Sequence, residues 1–188
     1  MPPLNTTNVI DLLMHGNQLK RTARTGWVQR GVPEAENVAA HSFGAAYAAL
    51  VLHGLLDEPV DLGRALALVA LHDLPEALTT DIPRPAWRFL PAGAKQTAEA
   101  AALSEMLGGV PFAPQWRAWW AELVANETAE AKLAHDADKL DQFLQAYVYE
   151  RQTGNRTLAE FWQQPHSFHY PQAQAIYDEL RARRTAEA

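Results

Sequence analysis

The chain has 188 residues, 48% of them apolar and 20% charged, which is enough for one sizeable core and too little length for two domains of typical size. Its net charge of -6 argues against a nucleic-acid polymer as partner, and the absence of cysteine excludes disulfides, thiolate catalysis and a cysteine-ligated zinc finger. Any metal must be held by imidazole and carboxylate, a donor set that suits manganese, cobalt, magnesium, iron or zinc. The N-terminal Met-Pro-Pro-Leu-Asn-Thr-Thr has neither a basic patch nor an apolar core, so no signal peptide is expected. Small or charged residues break every long apolar stretch, so no membrane span is expected and a cytoplasmic location is the default.

Thr6 or Thr7 can cap a first helix from about Asn8 to about Arg21, with Val9, Leu12, Leu13 and Leu19 as its apolar side. The stretch from Arg21 to Pro33 carries two glycines, a proline and no sustained period, and reads as a loop. Arg21, Arg24, Arg30 and Trp27 concentrate there, either as solvated charge around an anchoring ring or as a binding surface. A second helix is expected from Glu34 or Glu36 to about Leu56, with His41 among alanines that permit close approach of a neighbour. Taken alone, such a histidine is more often a hydrogen-bonded core residue than a ligand.

Asp61 can cap the next helix, from Leu62 to about Ala77, which Pro75 should kink or stop. Residues 79–85 read as a rigid turn returning Asp81 toward the helix end, followed by irregular chain to about Pro91 with Trp87 and Phe89 as anchors. Lys95 to about Leu107 reads as an amphipathic helix closed by Gly108-Gly109. A helix from Pro114 would place Trp116, Trp119 and Trp120 on one face, suited to core packing or a dimer surface. A long helix follows from Glu127 to about Arg151, then a Leu158–Tyr170 segment that reads as a cover, and a last helix from Gln172 to about Arg184. No strand pattern exceeds a few residues. The expectation is an all-α chain, one helical bundle of about six to eight helices over residues 1–188.

The informative residues are the polar ones inside apolar helices: His41, His72, Asp73 and Asp138. Together they make two imidazoles and two carboxylates, the protein share of one octahedral divalent site with places left for water and substrate. His72 and Glu76 are one turn apart, whereas helical geometry would send Asp73 about 100° away, so the pair would have to lean in from either side of the helix. Asp138 shares a face with His135 and with Asp141.

The order His41, His72-Asp73, Asp138 resembles the signature of the histidine–aspartate (HD) domain phosphohydrolases, and is most similar to their 5'-deoxynucleotidase-like branch. The stretches that carry the likeness are Leu19–Trp27, Glu36–Ser42, His72–Ile82 and Ala131–Asp141, within a region of about 8–151. The resemblance implies that His41, His72, Asp73 and Asp138 ligate one divalent ion per chain. It implies that Glu76 and Asp81 are acids near the phosphate and the attacking water, and that Trp27 lies near the nucleotide. Arg24 is the nearest match to the family's arginine, which stands directly before the tryptophan where this chain has Gly26; Arg30 is the other candidate.

The reaction implied is metal-dependent release of phosphate from 2'-deoxyribonucleoside 5'-monophosphates, with Glu76 or Asp81 taking the water's proton or supplying one to the 5'-oxygen. The alternatives are another HD chemistry (cyclic-nucleotide phosphodiester cleavage, nucleoside triphosphate hydrolysis or di-iron oxygenation) or a non-enzymatic helical module whose polar residues form a buried network. The aromatic helix face and the Phe161–Tyr170 segment, together with the resemblance, suggest a homodimer.

Overall fold

The structure, a computed structural model, describes residues 5–186. Seven helices of ten or more residues carry the packing: α1 (Thr6–Gln18), α3 (Val38–His53), α4 (Leu62–Leu71), α7 (Ala94–Leu107), α8 (Ala113–Ala125), α9 (Ala129–Thr153) and α10 (Pro171–Ala186). Three four-residue helices lie between them, α2 (Thr25–Val28), α5 (Glu76–Thr79) and α6 (Arg84–Trp87), and a 3-10 helix spans Arg156–Trp162. Among the described residues the sole β pairing is an isolated bridge between Ala23 and Asn37. The all-α class holds. The short helices are single turns inside stretches whose glycines and prolines read as loop.

Four of the long helices, α1, α3, α4 and α9, start on side-chain caps. Asn5 accepts from the amides of Thr7 and Asn8, so the cap lies one residue before the expected Thr6 and α1 begins at Thr6. Glu34 has φ 52, a left-handed conformation that cannot start a helix, and α3 begins only after Asn37, whose side chain accepts from the Ala40 amide. Asp61 caps α4 through the Arg64 amide at 3.0 Å. Thr128 caps α9 through the Ala131 amide, and Gly154, at φ 64, ends it.

The one boundary with functional weight is the end of α4. It stops at Leu71, ahead of the expected Ala77, and His72 to Pro75 form turns before α5 resumes at Glu76. Proline lacks an amide hydrogen and disfavours helical geometry in the residue before it, so the ladder breaks upstream of Pro75. Across this break the His72 and Asp73 side chains meet, with His72 Nε2 3.2 Å from Asp73 Oδ2.

The 25-residue α9 is the central post: α3 and α4 pack along it, joined by α8 and α10. Val38, Ala45, Leu52, Leu68, Leu133 and Leu140 lie in the main core. Trp120 is buried there, and Trp116 and Trp119 pack against it, so the aromatic face of α8 is core within its own chain. A second cluster joins Trp27, Phe143, Leu158, Trp162 and Tyr177. The Leu158–Tyr170 segment is thus more than a cover: Leu158, Trp162 and Tyr170 are buried, while Gln163 to His166 edge a cavity. Trp116, Trp119, Phe161 and Phe168 pack partly buried against these clusters, so both aromatic groups are largely engaged within the chain, which weakens the ground on which they suggested self-association.

Candidate active site

Three elements converge on one point. Helix α3 brings His41, wholly buried at 0% exposure; the turn after α4 brings His72 and Asp73; α9 brings Asp138. His72 Nδ1 lies 2.6 Å from the Val69 carbonyl, which can only accept, so the proton is on Nδ1 and the Nε2 lone pair faces the site. His72 Nε2 is 3.2 Å from His41 Nε2 and 3.2 Å from Asp73 Oδ2. His41 Nε2 is 3.7 Å from Asp73 Oδ2 and 3.2 Å from Asp138 Oδ1.

Donors bonded to one ion at about 2.1 Å in adjacent octahedral positions stand about 3 Å apart, so this spacing is that of a shared cation. The donor chemistry fits as well: hard carboxylate oxygens with imidazole nitrogen, the set that divalent first-row metals take. His41, His72 and Asp73 form one group able to hold an ion; Glu36, His41 and Asp141 form another around the opposite nitrogen of His41, with Asp141 Oδ2 2.7 Å from Nδ1.

Glu76 stands beside this cluster, 2% exposed, and its Oε2 has no hydrogen-bond partner. Burial first, then the charges of Asp73 and Asp81, push its carboxyl up to about 9. Burial works against the charged form of His41 too, but its hydrogen bonds to Asp138 and Asp141 carry it up to about 9. Asp73 goes the other way: burial opposes its ionisation, and its contact with His72, together with the nearby Arg24 and His41, holds it well below the usual carboxylate range.

These shifts fix how the metal-free protein responds to pH. His41 and Glu76 both hold protons more tightly folded than unfolded, where they titrate at about 6.5 and 4.5. The folded state then binds more protons, so stability falls as pH rises toward 9. Asp73 and Asp138, both lowered, contribute stability that is lost as pH falls through the acid range. Metal-stripped protein should melt highest at mildly acid pH and progressively lower from pH 6 to 9. A flat or rising melting temperature over that interval, read by calorimetry, would contradict this charge arrangement.

The cluster forms part of the wall of a cavity of about 860 Å³, within the range that encloses small-molecule ligands. Arg24 lines it, with Nη1 3.2 Å from Asp73 Oδ2. Asp81 lines it too, but one carboxylate oxygen accepts from the Thr25 amide at 2.7 Å, and its carbonyl accepts from the Thr25 hydroxyl. Asp81 therefore ties the Arg24 loop to the turn after α5, where Thr80 adopts a left-handed φ of 60. Trp27 is 2% exposed, packed against Tyr149 and Phe161, with its indole N–H on Glu36. It lines the cavity with almost none of its surface exposed. Arg30 is engaged with the Gly26 carbonyl, with Glu160 and with the face of Phe161.

A family model described as "HD domain" matches residues 16–180. The chain belongs to the HD domain family. It is 32% identical over 183 residues to a 5'-deoxynucleotidase HDDC2 of Bos taurus, covering 95% of this chain and 87% of that protein. It is 30% identical to the Danio rerio protein of the same name, covering 94% and 88%. Among solved structures it resembles a conserved hypothetical protein from Pyrococcus furiosus, with 36% identity, a TM-score of 0.80, and coverage of 92% of this chain and 99% of that one. With the donor cluster, these likenesses make the chain a metal-dependent HD-domain phosphohydrolase related to the 5'-deoxynucleotidases.

The sequence did not assign several residues of this HD domain's cavity to the site. Lys95 and Glu99 on α7 form an ion pair facing the site, and Lys95 feels the charges of Glu76 and Asp73. At spacing i, i+4 they read as an ordinary surface pair. Trp87, half-exposed and anchored by its indole N–H to the Ile82 carbonyl, presents more ring to the cavity than Trp27 does. His135 lines the cavity while its Nε2 bonds to the Leu123 carbonyl, tying α9 to α8.

Proposed function

We propose that this chain releases phosphate from 2'-deoxyribonucleoside 5'-monophosphates, using one divalent ion held by His41, His72, Asp73 and Asp138. The observation that supports this most is the spacing of His41, His72 and Asp73, 3.2 to 3.7 Å, with Asp138 3.2 Å from His41, on the wall of a cavity that also presents Arg24. The deoxynucleotide preference rests on the relatives named 5'-deoxynucleotidase.

A bound divalent ion would supply Lewis acidity toward the phosphate and a more acidic water. Manganese, cobalt, magnesium, iron and zinc all accept this donor set. Arg24 suits the phosphate's peripheral oxygens, its guanidinium being a planar donor fork, and Lys95 adds positive potential from α7. In the reaction the P–O5' bond breaks, the water oxygen joins phosphorus, and a water proton ends on the 5'-oxygen. One group able to take and return a proton is sufficient. Glu76 is our choice, because it is buried beside the donors and its Oε2 has no hydrogen-bond partner of its own. Asp81 holds the Arg24 loop in place, and Trp27 supports that loop from below while lining the cavity near the nucleotide; Arg30 acts through the Glu160 and Phe161 contacts at the rim.

We also propose that the enzyme works as a homodimer in the cytoplasm, paired through α3. That helix has no Asp, Glu, Lys or Arg in sixteen residues, yet Phe43 and Tyr47 are 75% and 62% exposed. Leu50 and Val51 continue the stripe, and Ile10, Leu13 and Met14 expose further apolar surface on α1. A face without charge is self-complementary across a twofold axis, and patches of this kind on soluble chains mark interfaces. Light scattering should give twice the chain mass for the parent and the chain mass for Phe43→Glu; a monomeric parent would refute the pairing.

The activity is tested by phosphate release from metal-stripped protein resupplied with manganese, cobalt, magnesium or zinc. Deoxy monophosphates should be cleaved in preference to ribo monophosphates, a triphosphate and a cyclic nucleotide. Preferential cleavage of the triphosphate or the cyclic ester would overturn the substrate assignment, and no cleavage with any metal would overturn the enzyme.

A further inference from the structure

His41 is an imidazole with a carboxylate at each nitrogen. Asp138 and Asp141 lie three residues apart on one face of α9; Asp138 Oδ1 is 3.2 Å from Nε2, and Asp141 Oδ2 is 2.7 Å from Nδ1. With the ring wholly buried, water cannot substitute for either partner. We infer that Asp141 is the positioning residue of the metal centre, holding the His41 proton on Nδ1 so that Nε2 faces the ion, and that Gly44 exists to let it in. The inference rests on the metal-site reading above.

The two donor groups around His41 compete, since Asp141 could instead be a ligand of a second ion with Glu36. The surroundings of the two nitrogens decide between them. Nε2 has three further donors at 3.2 to 3.7 Å, those of His72, Asp73 and Asp138. Around Nδ1 the group offers only Asp141 and Glu36, and a Glu36 oxygen already accepts from the Trp27 indole at 2.9 Å. A neutral imidazole carries one proton, and the fuller donor set should have the lone pair. A carboxylate on the outer nitrogen fixes the ring's tautomer and orientation and makes the inner nitrogen a better ligand.

Gly44 gives independent support. It follows His41 by three residues on α3, and a Cβ there would stand 2.1 Å from Asp141 Oδ1 and 2.7 Å from its Cγ. Real side chains do not approach so closely. An alanine at position 44 must push the carboxylate aside, and a short side chain such as aspartate has little freedom to move without leaving Nδ1. The glycine lies inside a helix, where it is less favourable than alanine because it loses more backbone freedom, so the close approach is what gives it a use.

The test is manganese affinity of metal-stripped protein, measured by calorimetry without substrate. Asp141→Leu should weaken binding by about 10- to 100-fold, the range for losing such an outer partner. Asp141→Asn should recover part of that loss, because its amide oxygen still accepts the Nδ1 proton. Gly44→Ala should weaken binding although every donor remains. Circular dichroism and melting temperature accompany each variant, and the near-isosteric Asn variant covers the case in which the Leu variant does not fold. Nitrogen-15 NMR of the zinc-loaded parent should show the His41 proton on Nδ1. Parent-like affinity in both Asp141→Leu and Gly44→Ala, a proton on Nε2, or two manganese ions per parent chain would overturn the assignment. Because no substrate enters these measurements, failure of the deoxynucleotidase reading would leave their outcome unchanged.

Discussion

Asp73→Ala should lose its divalent ion and, with it, phosphate release by a factor on the order of 10³ or more, as expected when charge stabilisation is taken from a transition state. Three contacts disappear together. Asp73 Oδ2 is 3.2 Å from His72 Nε2, 3.7 Å from His41 Nε2 and 3.2 Å from Arg24 Nη1. The change removes an anionic donor from the ion and the anchor from the arginine assigned to phosphate. It also removes one of the charges that hold the Glu76 carboxyl high. Metal analysis of the purified variant, with circular dichroism to establish folding, separates this outcome from unfolding. Full turnover with metal retained would remove Asp73 from the donor set.

Glu76→Gln should give the opposite split: metal kept, turnover reduced by about 10² to 10⁴, the usual contribution of a positioned acid or base. Glu76 stands outside the group formed by His41, His72 and Asp73, and glutamine has its shape without an exchangeable acidic proton. The same variant reads out in stability. In the parent, the folded Glu76 carboxyl titrates near 9 and the unfolded one near 4.5, so the fold loses free energy as pH rises between those values. Glutamine is neutral throughout. Metal-stripped Glu76→Gln should therefore melt higher than the parent at pH 8, with a shallower decline toward pH 9 that leaves only the His41 share. Loss of metal by this variant would contradict the placement of Glu76 beside the ion instead of on it.

The sequence made some of this site legible for a physical reason. His72-Asp73 stands out because an ionisable pair interrupts an apolar run, and a buried helix tolerates that only with a partner. Pro75 announces a break in the same place. What spacing alone could not show is that the break lies upstream, at Leu71, and that the two side chains meet 3.2 Å apart. Asp141 is harder to see: a carboxylate three residues after another on a polar helix reads as solvated charge until α3 is laid against it. Trp27 shows a related limit, because composition places a ring in a loop without saying that Tyr149 and Phe161 bury it. The interface expectation moved for a similar reason. Tryptophans on α8 draw attention, yet they pack inward, while the alanine-rich α3 exposes Phe43 and Tyr47.

The most direct test of the central claim is anomalous diffraction from crystals grown with manganese. One peak per chain should lie about 2.0–2.2 Å from His41 Nε2, His72 Nε2, an Asp73 oxygen and an Asp138 oxygen. A peak seated between Glu36 and Asp141 instead, or no peak at saturating manganese, would contradict it.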